Sequence, residues 1–369
     1  MKLLIPTLLF LLVGCSAQTS ESDSFDLPVL EIEHAMEISE SEDLLLGSIT
    51  NLLVDSEGDL ILVDGSQRFV YAVSSSGEFI QQIGRHGSGP GEYQFPGIVA
   101  LSDDNQLHIF DFSSQSVITY AKENGEWNFD SDFGVNFSQY GFFSTFFPAG
   151  NQEFYVVTNP MIASDDESES VVRKINNQGE VIQDSIYTYP QNERFLVLND
   201  GTPSMAMTIP NMHRQGRFNV DYNGNSYFGW TDSLTIFRKN SGESDFHPIV
   251  DIDMNNLPFT NAARDSILSR YETILSDNNQ ARRDLISSIP DTKPIYADYK
   301  IDDQGQIWVQ MYNQNEDTDW IVFSEKGEPL NKVSLSEKDR LRIIRHGNIY
   351  TVKTTEEGLP VVNIYSIVS

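Results

Sequence analysis

Residues 56–78 read SEGDLILVDGSQRFVYAVSSSGE, which places two short apolar strands between two polar turns that contain glycine. The first turn is 56–59, and the second ends in Gly77-Glu78. Glycine supplies the positive φ that a tight hairpin turn requires, and short apolar runs bounded by such turns are typical of antiparallel strands. This stretch therefore predicts the middle of a small antiparallel β-sheet.

The same pattern recurs along the chain with some drift. Five predicted strands, at 69–73, 117–121, 171–175, 234–238 and 320–323, precede the turns Gly77-Glu78, Gly125-Glu126, Gly179-Glu180, Gly242-Glu243 and Gly327-Glu328. Further polar turns lie at 56–59, 103–105, 149–151, 222–225 and 303–305, with a sixth copy at 345–348. Each unit reads as a four-stranded antiparallel blade. We therefore predict an all-β fold, a six-bladed β-propeller over 27–369.

The sixth unit has three strands and lacks the closing Gly-Glu turn. Residues 27–34 (LPVLEIEH) alternate apolar and polar side chains and belong to no other blade. We predict that 27–34 form the closing strand of the last blade. Such a strand joins the two ends of the ring and removes an exposed sheet edge.

A helical insertion is predicted at 260–289, between blades 4 and 5. Within 261–275, one helix face collects the apolar side chains of Ile267, Leu268, Tyr271, Ile274 and Leu275. A second helix is predicted at 281–289, before Pro290. The insertion either packs against a blade or covers one end of the central channel as a lid.

The N-terminus carries the signals of export. Residues 1–14 have a basic start and a short apolar core, which is typical of a signal peptide and too short to span a bilayer. The sequence Leu-Val-Gly before Cys15 resembles a bacterial lipobox, so we predict that Cys15 is lipidated with fatty acyl chains such as palmitate. The other interpretation is an ordinary signal peptide with an unmodified thiol. Residues 15–26 are predicted to form a flexible acidic tether.

Charge and cysteine usage exclude several classes of partner. The net charge is −30, and phosphate binding needs clustered Lys and Arg, so we predict no nucleic-acid partner. Membrane contact is then expected through the lipid anchor. Ser16 replaces the Asp that retains some lipoproteins in the inner membrane, which favours the outer membrane of the cell envelope. Cys15 is the only cysteine, so disulfides and Cys–metal sites are excluded.

Several segments resemble known propeller repeats. The segment 83–96 (IGRHGSGPGEYQFP) resembles the inter-blade loop of NHL-repeat propellers, and 62–70 (LVDGSQRFV) resembles the second strand, loop and third strand of that repeat. The segment 109–117 is similar, with Ser116 where the repeat favours Arg. The segment 289–308 is similar to bacterial six-bladed, TolB-like propeller lipoproteins. The resemblance implies a fold and carries no activity.

Candidate site residues follow from the expected topology. In each predicted blade, the first turn joins strands one and two, the middle loop joins strands two and three, and the third turn, which contains Gly-Glu, joins strands three and four. Middle loops and inter-blade connections share one end of a propeller, where ligands of propeller enzymes usually bind, whereas first and third turns share the other end. The candidates at the ligand end are Arg85, His86, Tyr93, His213, Arg214, Asp64, Arg68 and Asp111. Their alternative roles are exposed loop positions for the histidines and loop capping for Asp64 and Asp111.

Two functions remain open at this point. No phosphate-binding loop, Gly-x-Ser-x-Gly, His-Glu-x-x-His or EF-hand pattern occurs, so no cofactor or metal is predicted and enzyme activity is left open. The favoured function is a non-catalytic module that binds or scaffolds a protein, peptide or glycan in the envelope. The alternative is a metal-dependent, lactonase-like hydrolase or lyase acting on a small exported metabolite, in which His86 and His213 meet carboxylates around a metal.

Overall fold

The structure is a computed structural model that describes residues 25–102, 104–136, 140–159, 169–190, 192–193, 195–199, 202–207, 213–275, 279–312, 318–336 and 338–368. The predicted signal peptide, Cys15 and the predicted tether up to residue 24 lie outside the described residues. The expectations for those segments therefore stay predictions.

The described residues form six antiparallel sheets of four strands each, with further short elements between them, which confirms the predicted six-bladed fold. The strands are, for blade 1, Ile49–Val54, Leu60–Asp64, Phe69–Val73 and Phe79–Ile83; for blade 2, Pro96–Leu101, Gln106–Asp111, Ser116–Glu123 and Glu126–Gly134; for blade 3, Phe142–Pro148, Phe154–Asn159, Glu169–Ile175 and Val181–Pro190; for blade 4, Gly216–Val220, Ser226–Trp230, Leu234–Lys239 and His247–Ile252; for blade 5, Tyr296–Ile301, Ile307–Met311, Thr318–Phe323 and Pro329–Leu335; for blade 6, Arg340–Arg345, Asn348–Thr354 and Pro360–Ile367, with Ile32–Ile38 as its fourth strand.

The blades close into a ring around a central channel. The first strand of each blade contacts the first strands of the blades on both sides, from blade 1 round to blade 6 and back. Apolar side chains fill each space between neighbouring sheets; Ile61 and Val70 of blade 1, for example, share a cluster with Leu107 and Ile118 of blade 2. The core is therefore a ring of inter-blade layers, and each blade buries both of its faces against its neighbours.

The N-terminal strand completes blade 6. Ile32–Ile38 pairs antiparallel with Pro360–Ile367, whereas we had predicted a closing strand at 27–34. The observed strand ends later because the apolar alternation continues to Ile38, which is buried. Before this strand the chain runs along blade 5, where the amide of Leu30 donates to the carbonyl of Lys332 at 2.7 Å. The N-terminal segment thus contacts both blades 5 and 6.

Other elements occupy the connections between blades. Two short strands, Arg85–His86 and Glu92–Tyr93, pair in parallel between blades 1 and 2. A hairpin, Phe195–Asn199 and Thr202–Met207, lies between blades 3 and 4. Helices α1 (Asn261–Leu275) and α2 (Asn279–Ser288) lie between blades 4 and 5, as predicted.

The helical insertion forms a small core of its own. Tyr271, Ala281, Leu285 and Ile289 are buried together, with Ile267 and Leu268 packed against them, and α2 contacts the hairpin strand Phe195–Asn199. The side chains of Ile274 and Leu275 lie outside the described residues. Within the described part of the chain, neither helix is both long and apolar enough to cross a membrane.

Candidate functional site

Asp64 ends the second strand of blade 1 and is fully buried under the middle loop. Its carboxylate accepts hydrogen bonds from the amides of Gly47 (2.5 Å), Ser66 and Gln67 (both 2.9 Å). Burial raises the pKa of Asp64, but these hydrogen bonds outweigh it and leave the pKa below its ordinary value. Asp64 therefore fixes the loop conformation, and protein donors already surround its oxygens.

Asp111 has the same role in blade 2. It is buried and accepts hydrogen bonds from the amides of Gln94 (3.2 Å), Phe95 (2.8 Å) and Ser113 (3.1 Å), and from the hydroxyl of Ser114 (2.9 Å). Two of these donors belong to the connection from blade 1. Asp111 therefore fastens the inter-blade connection to the middle loop of blade 2.

The connection between blades 1 and 2 contains three further candidates. Arg85 and His86 are exposed, and the Arg85 Nε lies 2.6 Å from a carboxylate oxygen of Glu92. Tyr93 is fully buried, and its hydroxyl donates to the carbonyl of Ile83 at 2.7 Å. Burial raises the pKa of Tyr93 well above its ordinary value. Tyr93 is thus a structural residue, and only Arg85 and His86 face solvent.

Two further candidates, His213 and Arg214, lie just before blade 4. His213 is buried, and burial lowers the pKa of its imidazole against the opposing effect of Glu193. Arg214 donates to Asp232 at 2.8 Å and to Thr292 at 2.9 Å, and Thr292 follows α2. These two residues therefore tie the start of blade 4 to the helical insertion.

Arg68 belongs to an exposed aromatic row at the middle-loop end. Its guanidinium carbon lies 5.3 Å from the ring centroid of Phe95. The rings of Phe95 and Phe112 are 5.9 Å apart, and those of Phe112 and Phe142 are 6.2 Å apart and nearly parallel at 14°. Phe95 and Phe142 are 38% and 56% exposed, which is high for large apolar side chains. We call Arg68, Phe95, Phe112 and Phe142 the aromatic row.

A glycine makes room for the middle of this row. A Cβ added to Gly97 would lie 1.9 Å from a ring carbon of Phe112, so any other residue would displace that ring. Sequence reasoning found Arg68 but missed the three phenylalanines. Phe95 and Phe112 lie in the NHL-like segments, and that position was the one signal that could have drawn attention to them.

One carboxylate cluster has the spacing of a metal site. Oxygens of Asp55, Glu57 and Asp59 in the first turn of blade 1 lie within 4.8 Å of one another. The ammonium of Lys122 from blade 2 lies 2.7 Å from Asp55, 2.7 Å from Glu57 and 2.8 Å from Asp59. A lysine therefore provides the positive charge that this cluster needs.

A cavity of about 780 Å³ lies in the channel towards the first-turn end. Residues of the first turns of blades 2, 3 and 4 line its outer part, and the first strands of the blades line its inner part. Side chains on the inner part include Asn51, Thr145, Asn219, Lys300 and Arg342. None of the eight predicted site residues, all of which the structure describes, lines this cavity.

Taken together, these features define a six-bladed propeller with an exposed aromatic row at one end and a polar cavity at the other. The profile of the DUF5128 family, described as a 6-bladed beta-propeller, matches residues 29–326, and the chain belongs to this family.

Solved structures show the same architecture at low sequence identity. A candidate exported protein from Bacteroides fragilis NCTC 9343 has a TM-score of 0.55 and 13% identity, covering 94% of this chain and 98% of that one. A member of the DUF4221 family from Bacteroides vulgatus ATCC 8482 has a TM-score of 0.53 and 10% identity, covering 93% of this chain and 99% of that one. No curated protein matches the chain. These similarities establish the fold alone.

Proposed function

We propose that the protein is a lipid-anchored binding module of the cell envelope that holds a partner protein on its middle-loop face. The observation that carries this proposal is the aromatic row, where the exposed rings of Phe95 and Phe142 flank the partly buried ring of Phe112 and Arg68 lies over Phe95. Clustered exposed aromatic side chains next to an arginine have the composition of the centre of a protein interface. The lipobox before Cys15 supports a membrane anchor, and Ser16 favours the outer membrane.

The chemistry of the row favours a protein over a glycan. Phenylalanine rings have no hydrogen-bonding group, whereas a glycan presents hydroxyls that need donors and acceptors beside each stacked ring. The loops around the row are also held firmly, since Asp64 and Asp111 each bind several backbone amides. A preorganised surface loses little conformational entropy when a partner binds.

The metal-dependent alternative gains no support from the residues it needs. It requires carboxylates free to bind a metal, but protein donors already occupy the oxygens of Asp64 and Asp111. Metal analysis of the purified protein separates the two functions. Stoichiometric calcium or zinc that disappears in a His86→Ala/His213→Ala variant would favour the enzyme.

Photocrosslinking tests the binding surface directly. A photoreactive amino acid is placed at Phe142, and as a control at Ile182, which is 48% exposed on the outer strand of blade 3. We expect one discrete adduct in native envelopes from position 142 and none from position 182.

The partner is then purified, and its affinity for the protein is measured. This affinity should fall at least tenfold with Phe142→Ala but not with Ile182→Ala, since anchor aromatics contribute about 2 kcal/mol or more. Equal affinities, or an adduct from a glycan instead of a protein, would overturn the proposal.

The relation to NHL-type and TolB-like propellers belongs to the same proposal. Segments 62–70 and 83–96 carry the resemblance to NHL-type propellers and contain Arg68 and Phe95 of the aromatic row, whereas segment 289–308 carries the similarity to TolB-like propeller lipoproteins. Partner binding through inter-blade loops is compatible with such an ancestry, while the chemistry comes from the side chains of this chain.

A further inference from the structure

The channel cavity has cationic side chains on its inner part and acidic side chains on its outer part. The protein carries a net charge of −30, yet two cationic side chains, Lys300 and Arg342, line the cavity from the first strands of blades 5 and 6. We call this pair the basic wall. Asn51, Thr145 and Asn219 add uncharged polar groups from blades 1, 3 and 4.

The carboxylate nearest to the basic wall is already engaged. Asp298 lies 2.8 Å from the ammonium of Lys300 and 3.6 Å from the guanidinium of Arg217. Arg340 adds a further positive charge close to Arg342. Asp298 therefore interacts with several cations beside the basic wall.

Arg342 has no hydrogen-bond acceptor among the described residues. Its Nε is fully buried and unpaired, although buried guanidinium donors are normally paired with an acceptor. Burial and the neighbouring Arg340 lower the pKa of Arg342, and the nearby carboxylate of Asp298 only partly opposes this effect. A planar oxyanion matches the fork of donors that a guanidinium offers.

We propose that this cavity binds a small carboxylate ligand whose carboxylate is held by Arg342 and Lys300. This site is independent of the aromatic row, because it lies towards the opposite end of the channel. Lysine and arginine from adjacent blades together supply enough donors for both oxygens of a carboxylate.

The outer part of the cavity restricts the rest of the ligand. Acidic side chains lie there, namely Asp104, Asp130, Asp132, Glu153 and Asp221. A ligand that enters with its carboxylate first therefore leaves a neutral or cationic end among carboxylates. An amino acid or short peptide has this distribution of charge, and a tripeptide is small enough for about 780 Å³.

Calorimetric titration with matched peptides tests the proposal. The probes are tri-alanine, tri-alanine C-terminal amide, succinate and inorganic phosphate, all at constant ionic strength. We expect saturable 1:1 binding of tri-alanine and at least tenfold weaker binding of the amide, which lacks the carboxylate. Equal binding of tri-alanine and its amide overturns the proposal, as does the absence of saturable binding by tri-alanine, succinate and phosphate below about 10 mM.

Variants locate the site. Arg342→Gln should weaken tri-alanine binding at least tenfold, while Lys326→Gln, which removes the same charge from an exposed turn, should leave it unchanged. If Arg342→Gln fails to fold by circular dichroism, Lys300→Gln takes its place with the same expected loss. Equal affinity of the folded variant and the wild type overturns the assignment. Phe142→Ala should not affect tri-alanine binding, so this site and the proposed partner surface can fail separately.

Discussion

Single side chains join neighbouring blades across the spaces between their sheets. Lys122 of blade 2 binds three carboxylates in the first turn of blade 1, and its own side chain is 3% exposed. Arg345 of blade 6 donates to the carbonyl of Val54 in blade 1. Arg238 of blade 4 donates to the carbonyl of Glu325 in blade 5 at 2.8 Å. These contacts add directional interactions to apolar layers that by themselves have none.

We predict that Lys122→Met lowers the free energy of unfolding by about 3–5 kcal/mol, because it leaves the buried Asp55 without its counter-ion. Methionine keeps the apolar part of the side chain and removes only the ammonium. Millimolar calcium should then bind the three carboxylates and restore part of the lost stability, as measured by thermal unfolding.

Lys174→Met is the matched control for this prediction, since it removes an ion pair with Glu153 whose side chains are 22% and 29% exposed. Its effect should stay below about 1 kcal/mol and should not depend on calcium. The prediction would be wrong if calcium stabilised the wild type and Lys122→Met equally.

We predict that the buried imidazole of His108 makes the stability of the protein depend on pH. Burial lowers the pKa of His108 to about 4, against the opposing effects of Asp104 and Asp130, while the unfolded chain keeps a value near 6.5. The unfolded state therefore binds the proton first, and stability is lost as the pH falls from 6.5 towards 4. The loss reaches about 3 kcal/mol at most.

Denaturant unfolding at pH 7 and pH 4.5 measures this effect. We expect His108→Asn to lose less stability than the wild type over this interval. His86→Asn, which removes an exposed imidazole, should follow the wild type. Parallel behaviour of all three proteins would show that His108 does not cause the pH dependence.

Local sequence signals predicted the bounds of those strands and helices whose ends depend on nearby residues. The strand Phe69–Val73 and the helix Asn261–Leu275 have the predicted bounds, because turns and a helical apolar period mark their ends. The closing strand was placed too early, since its true bounds depend on pairing with Pro360–Ile367 at the far end of the chain. Loop capping by Asp64 and Asp111 could be predicted because some of their partners, such as Ser66 and Ser113, are close in sequence, whereas their bonds to Gly47 and Phe95 could not.

The candidate sites were less predictable because their residues are far apart in the sequence. Phe95 and Phe112 come from separate loops and Phe142 begins a strand of blade 3, and the three become neighbours only when the blades are arranged in a ring. Lys300 and Arg342 belong to different blades, and nothing in their local sequence marks them as neighbours in a cavity. Sites built across blades follow from the curvature of the ring, which no local pattern encodes.

The N-terminal strand gives a prediction at the scale of elements. Removal of residues up to 38 should lower the melting temperature by roughly 10 °C, since several apolar side chains lose burial and about 4 kcal/mol. It should also cause aggregation, because Pro360–Ile367 becomes an exposed sheet edge. Removal of residues up to 31 keeps the strand and should have a clearly smaller effect. Equal melting temperatures for the two truncated proteins would contradict a closing role for Ile32–Ile38.

For the whole molecule, the position of the proposed anchor on the ring decides which surfaces of the propeller stay accessible. The described chain begins at Phe25, whose ring packs at 6.1 Å from that of Phe323 in blade 5. A tether attached at this point would hold the propeller by the outer side of blades 5 and 6. The aromatic row spans blades 1 to 3 and would therefore remain accessible to a partner.

The proposed lipid anchor predicts how the protein partitions between detergent and water. In a Gram-negative host, the wild-type protein should partition into detergent and lack a free thiol, because cleavage before Cys15 and acylation consume it. Cys15→Ser should move the protein to the aqueous phase, whereas Ser16→Ala should keep it in the detergent phase. Ser16→Asp should shift it from outer to inner membranes on a density gradient, where the host applies that sorting rule. A wild-type protein that reacts with a thiol reagent and stays aqueous would rule out the lipid anchor, since even one acyl chain adds about 0.8 kcal/mol of membrane binding per buried CH₂.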